Sequence, residues 1–216
     1  MTTNKPRILA LLAILRILND RRCLERVLDP IGQSVRSCGI TLNDIDAYKY
    51  DNRYLDILVS EETWIIENLL GAAFVTCQAH MNEVASTIAR VHELCDTTVR
   101  TKFKFIKKKK YEIYKENSPE ISGTSFTKIA LIHIAANYFK HRSEWSIDAN
   151  EPGKWKVHND VSRYTIEPMN DLVDAIDISS GSTGNLRTIS KALGNIDYDD
   201  TRVFIDIIIE WQEAYE

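Results

Sequence analysis

The chain has 216 residues, 44% of them apolar and 27% charged, the balance of a globular protein large enough to bury a sizeable core. A formal net charge of −4 excludes a chain that is basic as a whole, so any nucleic-acid contact must come from a local patch. Cys23, Cys38, Cys77 and Cys95 are widely spaced and form no C-x-x-C pair. That argues against a zinc site or a disulfide framework and for reduced thiols in a cytoplasmic protein.

From Lys5 to Leu28 the apolar pattern is helical, and Asp29–Pro30 is expected to end it, since proline lacks the amide hydrogen a helix interior needs. The run RILALLAILRIL is interrupted by Arg16 and is too short to span a bilayer. It reads as a buried or amphipathic helix with no membrane partner. Gly32 and Gly39 punctuate residues 31–43 as a connector holding at most a short helix. Across Asn43–Ser60, Tyr48, Tyr50 and Tyr54 mix with aspartates near helical spacing.

Ser60 is placed to cap a helix whose first turn carries Glu61 and Glu62, where carboxylates oppose the helix dipole. No proline interrupts from Glu61 to Val99, which predicts a long helix able to cross the whole molecule. Residues 100–117, RTKFKFIKKKKYEIYKEN, are the one shift in composition. Asn117–Ser118–Pro119 and Ser122–Gly123 mark a loop. Thr124 or Ser125 is expected to cap the next helix, which runs to about Trp145, and Asp148–Gly153 forms a second loop. Three shorter helices follow near Pro168–Ile178, Leu186–Leu193 and Thr201–Tyr215. The sum is an all-α fold: an antiparallel long-helix bundle over residues 1–147 and a smaller helical appendage over residues 148–216, with one single domain as the alternative.

Projected at a hundred degrees per residue, His133, Asn137, Lys140, His141 and Glu144 share one narrow face of the helix before Trp145. That stripe reads either as the wet side of the helix or as a functional cleft. As a cleft it has usable chemistry. A histidine moves protons near neutral pH, and Asn137 can orient a ring or a phosphate oxygen. Lys140 or Arg142 can stabilise charge that develops during RNA cleavage. His133 and His141 lie two turns apart without an H-E-x-x-H pattern, so no metal and no cofactor are expected.

Lys104, Lys107, Lys108, Lys109 and Lys110 are interleaved or flanked by Phe103, Phe105, Tyr111 and Tyr114. Basic groups neutralise phosphates and rings stack on unpaired bases, so the segment suits RNA or another polyanion. It equally suits the solvated end of a long helix. The segment Ser179–Gly184 lacks a P-loop order and reads as a flexible linker. Asp171, Asp174, Asp177, Asp197, Asp199 and Asp200 read as either a magnesium-binding cluster or an acidic surface that pairs with the lysine run, within or between chains. Trp145 and Trp155 read as core anchors.

The segment Asn137–Tyr138–Phe139–Lys140–His141, on a late helix of an all-α bundle, resembles the signature of HEPN-type proteins (higher eukaryotes and prokaryotes nucleotide-binding domain). That signature is an arginine, often a following polar residue such as asparagine, and a histidine a few positions on. Many members are metal-independent RNases of toxin–antitoxin and phage-defence systems that work as dimers. By position the resemblance implies Asn137 as the polar residue and His141 as the histidine, with a homodimer as the working form. The arginine's place is held by Ala136, so cleavage is implied only if Arg142 or a partner chain's arginine replaces it.

Two functions follow as expectations. The first is an RNA-binding or RNA-cleaving protein, with His141 as acid/base group, Asn137 orienting it, His133 beside them, and Lys140 or Arg142 stabilising charge. The second is a non-catalytic helical interaction protein, an immunity or adaptor protein, with a partner protein chosen by charged patches.

Overall fold

In the computed structural model, which describes residues 5–47, 52–94, 110–158 and 160–215, the first break falls at Asn19–Asp20, ten residues before the expected stop. Helix α1 spans Lys5–Leu18 and α2 spans Arg21–Ala47. Asp20 sets the break: its Oδ1 accepts from the amide of Arg22 at 3.1 Å, and its carboxylate holds the Arg22 guanidinium at 2.6–3.1 Å. Pro30 lies inside α2 instead of ending it. An interior proline costs about 3 kcal/mol, yet the helix continues because Leu24, Leu28 and Val35 stay buried on both sides of it. Residues 31–43 are therefore helix and not connector.

Helix α3, Asn52–Leu94, is 43 residues long, about 65 Å at the usual rise. It begins before Ser60, which is an interior residue and not its cap. His80 meets the backbone of Leu18, and Cys38 meets Glu62, so α1 and α2 both run opposite to α3. Hydroxyls inside the long helix are satisfied locally: Thr76 donates to Ala72 O and Thr87 to Glu83 O, each at 2.9 Å.

The later elements are a single turn α4 (Lys110–Ile113), α5 (Lys128–His141) continued by a 3-10 turn over Arg142–Glu144, α6 (Asp160–Ile176), α7 (Asn185–Ala192) and α8 (Arg202–Glu213). Thr127, not Thr124 or Ser125, caps α5, accepting from the amide of Ala130 at 3.2 Å. Helix α6 starts eight residues before Pro168, which it carries inside, because Ile166, Met169 and Leu172 are all buried against the bundle.

Among the described residues the fold is all helical, apart from isolated bridges at Glu120–Thr127 and Ile147–Trp155. Leu70, Phe74, Met81, Ile132, Met169, Phe204 and Trp211 join one apolar core, with the Phe74 and Phe204 rings 5.1 Å apart. Trp145 and Trp155 do anchor that core, standing 5.6 and 5.5 Å from the Tyr138 ring. No helix among the described residues is long and apolar enough to cross a membrane.

Candidate functional site

Helix α5 meets α3 where Gly71 faces Phe139. A Cβ on Gly71 would fall within the Phe139 ring, so only glycine lets the ring lie on the α3 backbone. That approach brings the polar stripe of α5 against a residue that α5 gives no hint of, Gln78. Its Oε1 accepts from Lys140 Nζ at 2.7 Å, and its Nε2 donates to Asn137 Oδ1 at 2.9 Å. The same amide nitrogen lies 3.0 Å from His133 Nδ1 and 3.2 Å from the His133 carbonyl oxygen. Asn137 Nδ2 lies 3.1 Å from His133 Nε2.

Both ring nitrogens of His133 thus face amide donors. A neutral imidazole can accept at one of them, whereas an imidazolium would set donor against donor at both. Burial already disfavours the charged ring, and the Lys140 ammonium adds to it, pushing the pKa of His133 down to about 4. Lys140 is itself lowered by partial burial. The Tyr114 ring lies 5.1 Å from the His133 ring, and burial raises its phenol to about 12. His133, Asn137 and Lys140 are therefore brought together with Gln78 in one interhelical hydrogen-bonded cluster, with His133 and Asn137 half-buried and Lys140 exposed at its rim.

His141 and Glu144 separate from that cluster. They pair with each other at 3.4 Å at the end of α5, with side chains 41% and 69% exposed. Arg142 turns away from them. Its guanidinium donates to Asn68 Oδ1 at 3.0 Å and lies 4.7 Å over the Phe139 ring, fastening the 3-10 turn to α3. Ala136 is fully buried among core residues, so the place where the HEPN-type signature carries an arginine points into the bundle. Lys104, Lys107, Lys108 and Lys109 lie outside the described residues, and Lys110 opens α4.

Comparison with protein-family models, with curated proteins and with solved structures finds no match for this chain.

Glu67 of α3, buried to 3% exposure, is the second residue that sequence reasoning did not single out. Its carboxylate accepts from the amides of Leu186 and Arg187 at 3.1 and 3.0 Å, with Arg187 Nε 3.4 Å from Oε1. Burial raises its pKa, against the pull of those donors. The first turn of α7, ordinarily a ready anion site, is thus filled from within the chain. Asn185 orders the Ser179–Gly184 segment, accepting from Ser179 N at 3.0 Å and donating to Ser179 O at 2.8 Å, so it is a tied loop and not a free linker. In the acidic run, Asp199 pairs with Arg36 at 2.6 Å and Asp200 with Arg202 at 2.8 Å. No group of three or more His, Cys, Asp or Glu among the described residues could hold a metal ion. Cys23, Cys38 and Cys77 are free thiols.

Proposed function

We propose that this chain is a non-catalytic helical interaction protein, an adaptor or immunity-type module that works by docking a partner protein. The observation that carries this reading is the Gln78 amide, which engages His133, Asn137 and Lys140 together and occupies the groups an acid–base site would need. Arg142, the residue of this chain expected to replace the missing motif arginine, is committed to Asn68 and Phe139.

A second reading, an RNA-binding or RNA-cleaving protein of HEPN-like character in a toxin–antitoxin or defence setting, is favoured by one feature. His141 and Glu144 stand together and open to solvent, the pairing a general base needs. Labelled total RNA incubated with the wild type and with His141→Ala, without added metal, separates the two. The proposal expects intact RNA in both samples. Cleavage by the wild type that the variant loses would overturn it in favour of the second reading.

A further inference from the structure

Helix α1 carries apolar residues on both of its sides, yet it is covered on one side only. Leu15 and Leu18 pack against the core and share one side of the helix with Ile8 and Leu11 in projection, while no residue of the helix is fully buried. On the outward side Leu9 is 57% and Ile17 65% exposed, with Ala10, Ala13 and Ile14 between them on the same face. A helix that is apolar on both sides ordinarily has a neighbour on each.

The charges around that face indicate which neighbour. In helical projection Lys5 and Arg16 border the outward stripe on the Leu9 side, with exposed Leu12 beyond them, Arg7 borders it on the Ile14 side, and α1 carries no acidic residue. All three are exposed, and none pairs with a carboxylate among the described residues. This is the arrangement in which charges flanking an apolar seam select the partner. A second copy of the chain would bring cations against cations across the seam, which disfavours self-association.

We infer that the outward face of α1 docks an amphipathic helix of a partner protein whose apolar stripe is flanked by aspartate or glutamate. The inference rests on the interaction reading above and gives it a surface and a partner chemistry. Leu9 and Ile17 supply the apolar contacts, and Lys5, Arg7 and Arg16 meet the flanking carboxylates.

The test selects a displayed library of randomised helical peptides on the full chain and measures each enriched peptide against Leu9→Glu/Ile17→Glu. Both side chains are exposed, so the double variant is expected to keep the wild-type circular dichroism and melting temperature. Enriched peptides should carry one apolar face flanked by Asp and Glu, bind the variant at least about tenfold more weakly, and lose affinity as salt rises. Neutral or basic enriched peptides, equal binding to the variant, or no enrichment would overturn the docking site. So would a dimer in sedimentation equilibrium, or binding to phosphatidylserine vesicles, that the variant abolishes. RNA cleavage by the wild type would overturn the interaction reading itself, whereas failed selection with intact RNA removes only this docking site.

Discussion

At the residue scale, His133 concentrates the physics of the candidate site. It sits among an amide from α3, an amide and an ammonium from its own helix, and the Tyr114 ring. The unfolded ring takes a proton near its ordinary value of 6.5, and the folded ring refuses it until about 4. Stability is therefore full above about pH 6.5 and falls as the pH drops toward 4, by up to about 3 kcal/mol from this group. His80, half-buried beside Gln212, is displaced in the same direction. Urea unfolding at several pH values checks this: the loss between pH 7 and 4 should be smaller in His133→Asn than in the wild type. An equal pH dependence in the two proteins would show that the ring titrates alike folded and unfolded.

At the scale of elements, two contacts fix how the helices meet. Gly71→Ala should destabilise the protein by about 1–3 kcal/mol through overpacking against Phe139. Phe139→Leu in the same chain should recover part of that loss, a coupling read from a double-mutant cycle. Glu67→Ala leaves the amides of Leu186 and Arg187 without their acceptor and should cost about 1–3 kcal/mol by denaturant unfolding. The existence of the long helices was legible because apolar spacing is a local property. Their ends were less so. Asp29–Pro30 carries a strong local stop signal that burial of Leu28 and Val35 overrides, while the real break depends on one aspartate side chain, Asp20. The shared face of His133, Asn137 and Lys140 was equally visible from spacing. Gln78 and Glu67 were not, because their partners lie 55 to 120 residues away and nothing in their own helix marks them.

At the scale of the whole molecule, α3 is the axis that most of the other described helices meet, while α6 reaches it through α5 and α7. Helices α6, α7 and α8 place Met169, Leu186, Phe204 and Trp211 into the same core as Phe74 and Met81. Tyr114, Trp211 and Tyr215 close one end around the Ile113 carbonyl, which accepts from Trp211 and Tyr215 at 3.2 Å each. A shared core predicts that the protein unfolds in one transition, with tryptophan fluorescence and far-ultraviolet circular dichroism giving the same midpoint. Two separated midpoints would mean that residues 148–216 fold on their own. The central claim is that Gln78, His133, Asn137 and Lys140 form a hydrogen-bonded cluster that joins α3 to α5 and keeps the His133 ring neutral. NMR titration of the histidine side chains tests it most directly: the His133 ring should stay neutral down to about pH 4, and a His133 that titrates near pH 6.5 would contradict the account.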